Sequence, residues 1–280
     1  MRLSFWLYRL KWWLVGKTKI IMGSPIHIDI ELASDCNLRC SMCPYGDADH
    51  PYTQRGMMPI EMARRAIDEA GALGVKSIKY QFRGEPGLNK DLESLVEYSG
   101  RWPFVDKFLN TNGLAMNAAR IWRLSGLTRL ILSVDGASKK TYEAIRVKAN
   151  WEKLRRNFQH MVDAGLKVQV QMTRQPSNDH EAGKFLTIWP GADKVTVKRL
   201  RQTGTVRAHC SQPYRRLVVA YDGIVFGCCN NWNNEYPVGD FKAQSLKEIW
   251  SGERIKQLRE HARCGTGPCE NCGVGEAWKK

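Results

Sequence analysis

The sequence predicts an α/β protein in which six βα units build a parallel sheet and a smaller, different unit follows. Three observations predict it. From residue 26 to about 200, short β-rich runs alternate with helical patterns, the order that places parallel strands side by side. After about residue 205 the alternation gives way to Leu217 to Tyr221, then Asp222-Gly223, then Ile224 to Phe226, which reads as a hairpin with a two-residue turn. The nine cysteines fall in two groups, three just after the first expected strand at 36–43 and six from residue 210 onward. Three segments result: a basic aromatic stretch over 1–25, the alternating unit over 26–205 and the C-terminal unit over 206–280.

The first sixteen residues mix Phe5, Trp6, Leu7, Tyr8, Leu10, Trp12, Trp13 and Leu14 with Arg2, Arg9 and Lys11. They are too few and too charged to span a bilayer. On a helical wheel the apolar residues run nearly all round, so packing on the main unit or on a second subunit is favoured over membrane-surface contact through residues 1–16. The strands that follow are expected at Ile26 to Ala33, Ser77 to Arg83, Lys107 to Asn110, Arg129 to Val134, Lys167 to Thr173 and Lys194 to Val197. Pro59 opens a helix ending near Gly71, Asn89 or Asp91 caps one running to about Tyr98, and Lys139 to Ile145 begins another. Trp151 to Ala164 is amphipathic and closed by Gly165.

Cys36-x3-Cys40-x2-Cys43 comes just after the first strand. Iron-sulfur clusters and structural zinc sites usually take four protein ligands, so three thiolates on one loop leave a metal corner open. A zinc knuckle completed by His50, or three buried thiols, are the plainer readings. The loop and its position resemble the signature of the radical S-adenosylmethionine (radical SAM) enzymes. That resemblance implies a 4Fe-4S cluster whose free iron chelates S-adenosylmethionine, reductive cleavage to a 5'-deoxyadenosyl radical, and hydrogen abstraction from substrate. It also implies a partial (β/α)6 TIM-like barrel with a small C-terminal β-hairpin and helix domain for an auxiliary cluster, the functional residues lying at the C-terminal ends of the strands.

The same resemblance carries cofactor contacts onto particular residues. Arg83-Gly84-Glu85-Pro86 stands where the family usually has Gly-Gly-Glu-Pro, implying that Gly84, Glu85 and Pro86 shape the seat of the cofactor's amino group. The arginine departs from the pattern and puts the local backbone in question. Asn112, Ser133 and Asp135 end two further strands where family members reach the ribose and carboxylate, although Asn, Ser, Asp and Gly also dominate ordinary turns. Arg174 can clamp a carboxylate or phosphate or be a solvated surface residue. Lys198, Arg199 and Arg201 read better as a solvated face. No catalytic base is named among Lys79, Gln81, Arg83 and Arg174, because the inner strand face is not fixed by sequence.

Cys210, Cys228, Cys269 and Cys272 resemble the auxiliary-cluster extension of this family, in the shortened single-cluster form called twitch rather than the seven-cysteine SPASM form. Cys229 should face away from Cys228, and Cys264 is the weaker exclusion. A structural zinc site on the same four cysteines is the rival. The implied cofactors are two 4Fe-4S clusters and S-adenosylmethionine, with flavodoxin or ferredoxin as electron donor. Oxidation of a small polar metabolite is favoured over modification of a peptide, since no segment reads as a leader-peptide binder. Cysteines at metal-ligand spacing without a cleavable signal point to the cytoplasm, with membrane association the other placement. A formal charge of +15 favours anionic partners. A zinc-containing nucleic-acid-binding protein is the competing class, but the ten tryptophans are scattered rather than interleaved with a basic stripe.

Overall fold

The computed structural model describes residues 2–43, 55–199, 209–230, 234–270 and 272. Six strands, β1 (His27–Ile30), β3 (Ser77–Lys79), β4 (Asp106–Thr111), β5 (Arg129–Ser133), β7 (Val168–Arg174) and β8 (Lys194–Arg199), lie side by side and parallel in chain order. These are the six strands expected from the sequence. A seventh, β9 (Arg216–Val219), joins the free side of β1 in parallel, and β10 (Ile224–Phe226) and β11 (Gly239–Asp240) extend it antiparallel. The C-terminal hairpin therefore continues the main sheet. Among the described residues the sheet stays open, with β8 and β11 at its edges. The boundary expected at 205/206 lies outside the described residues.

Alternation assigns the two faces. Ile28, Ile30, Ile78, Leu109, Leu130, Leu132, Val168, Val170, Leu217 and Val219 belong to one hydrophobic core with residues of α2 (Ile60–Ala72), α3 (Leu92–Tyr98), α6 (Trp151–Asp163) and α8 (Leu246–Ser251). The opposite face mixes polar residues with a small apolar cluster of Phe82, Val218, Ala220 and Phe226. Its ion pairs run between neighbouring strands: Asp29 with Lys79 at 2.7 Å and Arg216 at 2.9 Å, and Asp106 with Arg129 at 2.9 Å.

Some expected boundaries move for identifiable reasons. The second strand stops at Lys79 because the Gln81 side-chain amide donates to the carbonyls of Phe82 and Arg83 and turns the chain out of the ladder. α2 ends at Ala72, next to the Gly71 expected near its end, and Gly74, at φ +72°, follows. The β9–β10 loop has three residues, not two. Gly223 N–H donates to Ala220 O and Ala220 N–H to Ile224 O, so only Gly223 (φ +89°) needs the left-handed region. Gly165 (φ +70°) does close α6, whose Asn150 cap accepts from Lys153 N–H at 2.7 Å.

The N-terminal stretch is a helix, α1 (Arg2–Thr18). It buries Tyr8 and Val15 against Ile26 and Tyr214, at the N-terminal ends of β1 and β9. Trp12 meets the His27 ring edge-on and lies over Arg215. A Cβ at Gly16 would fall on the Arg215 guanidinium, which would have to move aside.

Candidate metal centres

Cys36, Cys40 and Cys43 follow β1 on a loop at the opposite, C-terminal end of the strands. Its second cysteine belongs to a two-residue strand, β2 (Arg39–Cys40), which pairs with β6 (Arg146–Val147) just after α5 (Lys139–Ile145). Gly84 (φ +35°) presses its backbone onto this loop, where a Cβ would lie 2.3 Å from Ala33 O and 2.6 Å from Asp35 O. Glu85 N–H then donates to Asp35 O at 2.7 Å. Only glycine has both the conformation and the absent side chain that this contact needs.

The Glu85 carboxylate is buried and accepts from Gly87 N–H, Asn112 N–H and the Thr111 hydroxyl. Pro86 opens the short turn that supplies the Gly87 amide, at a position where no N–H is needed. Burial still pushes the Glu85 pKa up against those three hydrogen bonds. A carboxylate has about four lone-pair sites, so one acceptor position is left. A cationic donor would fill it and favour the charged form.

Asn112 is the pivot between these parts. Its amide nitrogen donates to Asn37 Oδ1 at 2.8 Å and approaches Cys36 Sγ at 4.0 Å, so its side chain holds the cysteine loop. Ser133 sits half-buried at the end of β5, in register with Gln171. Asp135 is fully buried, accepting from Thr173 N–H at 2.6 Å and pairing with Arg146 at 2.7 Å. Arg146 in turn reaches Cys40 Sγ at 3.9 Å. Asp135 thus acts on the cysteine loop through Arg146. Arg174, at the far end of β7, pairs with Asp179 on an exposed part of the rim. Burial pushes the Cys36 thiol up to about 11 and raises Cys40 too, so the positive charge that makes them thiolates must come largely with a metal.

The Arg83 guanidinium forms a bidentate pair with Glu31, Nε to Oε1 and Nη2 to Oε2 both at 2.7 Å, and its backbone N–H donates to the same carboxylate. It also reaches Asn234, beyond β10. The glycine it replaces is not needed, because the left-handed turn falls on residue 84.

The second cysteine group assembles around the hairpin. Cys210 N–H donates to Ala262 O near the end of α9 (Glu253–Cys264), which pins it beside the Cys269 turn. Asn230 donates its backbone N–H to Cys228 Sγ at 3.3 Å and its amide to Cys272 Sγ at 3.4 Å. Burial raises Cys210, Cys228 and, to about 12, Cys269; the thiols of Cys210 and Cys272 add to the rise at Cys228 and Cys269. Cys229 adds to the rise at Cys228 and Cys210 as well, so Cys210, Cys228, Cys229, Cys269 and Cys272 are all electrostatic neighbours. Cys229 turns its thiol to Gln212 Oε1 at 3.8 Å, and Cys264 is exposed at the end of α9. Among the described residues no three His, Cys, Asp or Glu side chains are gathered closely enough to hold a metal ion. His50 and Arg201 lie outside the described residues.

Sequence reasoning missed Arg146, Asn37 and Asn230. It could have found Glu31: alternation with Ile28, Ile30 and Leu32 puts His27, Asp29 and Glu31 together on the opposite face.

Comparison with known proteins agrees with this geometry. Residues 30–187 match the model of the radical SAM superfamily and residues 210–273 that of the SPASM iron-sulfur cluster-binding domain. The chain belongs to the radical SAM superfamily. It is 23% identical over 253 residues to an S-adenosyl-L-methionine-dependent 2-deoxy-scyllo-inosamine dehydrogenase of Niallia circulans, covering 88% of this chain and 91% of that protein. In structure it resembles BtrN in complex with AdoMet and 2-DOIA (TM-score 0.63, 18% identity, 90% of this chain and 94% of the other). It also resembles Streptococcus suis SuiB bound to the precursor peptide SuiA (TM-score 0.69, 15% identity, 94% and 72%).

Proposed function

We propose that Cys36, Cys40 and Cys43 hold a 4Fe-4S cluster with S-adenosylmethionine on its open iron, and that the enzyme oxidises a small polar metabolite such as a sugar, cyclitol or nucleotide derivative. Bound there, the reduced cluster and S-adenosylmethionine would supply the 5'-deoxyadenosyl radical that removes a hydrogen atom from substrate. The observation that carries this reading is the seat built by Gly84 and Glu85. Gly84 locks the cysteine loop against the second strand's end, and Glu85 offers a buried, incompletely satisfied carboxylate to an ammonium group. Arg146 places a cation beside Cys40, complementing the negative charge of a thiolate-held cluster.

Cys210, Cys228, Cys269 and Cys272 are proposed to hold one auxiliary 4Fe-4S cluster of the twitch type, able to accept the electron left on the substrate. For an alcohol, loss of a hydrogen atom, then of one electron to that cluster and of the hydroxyl proton to a base or to water, is a two-electron oxidation to a carbonyl. The dehydrogenase from Niallia circulans, of nearly matching length, supports the small-molecule class. A flavodoxin or ferredoxin in a reducing cytoplasm is the matching electron source.

The test is iron, sulfide and zinc content of anaerobically reconstituted protein, with 5'-deoxyadenosine formation assayed after reduction with S-adenosylmethionine. About eight irons with cofactor cleavage are expected, four per cluster. About four would confine the reading to one cluster. Zinc without iron or cleavage would overturn it in favour of a zinc protein with nucleic-acid partners. Turnover of serine or cysteine peptides in place of sugars and cyclitols would move the substrate to the peptide class.

A further inference from the structure

The docking of α1 divides its apolar residues into two opposite faces. Tyr8 and Val15 are buried and Phe5 and Trp12 half-buried against the body. Leu3, Trp6, Leu7, Leu10, Trp13 and Leu14 form a second stripe at i, i+3, i+4 spacing, each between 44% and 73% exposed. Ile20 and Ile21, both 56% exposed, follow the helix. Singly exposed apolar residues are ordinary, but a contiguous stripe of this size with two tryptophans marks an interaction surface.

Charge selects the partner. Arg9 flanks the stripe on one edge and Lys11 on the other, Lys17 lies near its end, and the first acidic residue of the chain is Asp29. Two copies meeting stripe to stripe across a two-fold axis would bring these flanking cations together on helices that carry no acidic residue of their own. An anionic lipid surface neutralises them all, and tryptophans favour the headgroup depth such a helix reaches. The helix is already folded and docked, so adsorption does not carry the cost of ordering it.

We propose that the outer face of α1 is a docking surface for anionic phospholipid bilayers. α1 sits at the N-terminal ends of β1 and β9, while the cysteine loop lies at the C-terminal end of β1. The enzyme would therefore rest on the surface with its reaction mouth toward the water, and take its substrate from that side.

The experiment uses the reconstituted full-length protein with vesicles of phosphatidylcholine, with and without phosphatidylglycerol. Expected are co-sedimentation with the anionic vesicles alone, a blue shift of tryptophan emission on binding, and loss of both at high salt. L7E and L10E replace side chains on the outer stripe, so iron content and circular dichroism should stay unchanged while vesicle partitioning falls by about tenfold per leucine. Absence of binding to anionic vesicles, or equal binding to neutral ones, would overturn the proposal. So would a concentration-dependent dimer that L7E and L10E disperse in protein that ignores vesicles, which would give the stripe to a second copy.

Discussion

Arg83 stands where the Gly-Gly-Glu-Pro pattern has its first glycine, and its surroundings show what the arginine does in this chain. It and Glu31 are both buried, joined by two hydrogen bonds of 2.7 Å, and the guanidinium also lies 4.8 Å from the Phe82 ring. Removing one partner of a buried pair leaves an uncompensated charge, whereas replacing both with neutral groups can be nearly harmless. Arg83→Gly, which restores the family pattern, is therefore expected to destabilise by about 3–5 kcal/mol. Glu31→Gln combined with Arg83→Met should recover most of that loss. Urea unfolding of the reconstituted variants checks this; a single variant as stable as the wild type would show that the pair contributes nothing.

At the scale of elements, legibility follows the length of the pattern. The six parallel strands and α6 could be read because alternation and helical spacing extend over many residues and carry caps such as Asn150 and Gly165. The ribbon of Arg39–Cys40 with Arg146–Val147 has two residues on each side, too short for any periodicity, so Arg146 was invisible beside Cys40. The cysteines were legible from spacing, but their neighbours Asn37 and Asn230 come from loops whose approach is purely tertiary. Pairing of β9 with β1 was equally hidden, since nearly two hundred residues separate them. That pairing has a consequence for truncation. A fragment ending at residue 205 would turn β1 into an edge strand and take Arg216 from Asp29, exposing unpaired backbone that invites aggregation. Such a fragment is expected to elute as aggregates without cooperative unfolding; a soluble monomer with a sharp transition would establish that the barrel region folds alone.

Across the whole molecule, α1, β1, β3, β4 and β9 meet at one buried polar cluster, and its protonation ties global stability to pH. His27 hydrogen-bonds Ser77 at 2.9 Å and Asp29 at 3.2 Å, stacks on Phe108, and is faced by Lys79, Arg216 and, through Ser77, Asp106 and Tyr8. Burial lowers the His27 pKa, and the opposing pull of Asp29 does not reverse it. Burial alone would raise Asp29, but Lys79 and Arg216 hold its pKa well below the carboxylate range. The native state therefore keeps His27 neutral and Asp29 charged, while the unfolded chain protonates the histidine first, near pH 6.5. Below about pH 6.5 the unfolded state binds the extra proton, and stability falls by up to about 1.4 kcal/mol per pH unit until the depressed native pKa is reached. Asp29 adds a second loss only below about pH 4, where the unfolded carboxylate takes up its proton. Urea midpoints of the reconstituted wild type and of His27→Gln, measured from pH 7.5 to 5, separate this histidine from the cysteines and carboxylates common to both. The variant should be less stable at pH 7.5 and the gap should narrow as the pH falls; parallel curves would mean that His27 takes up its proton equally in the native and unfolded states, and a widening gap that the native state favours the protonated ring.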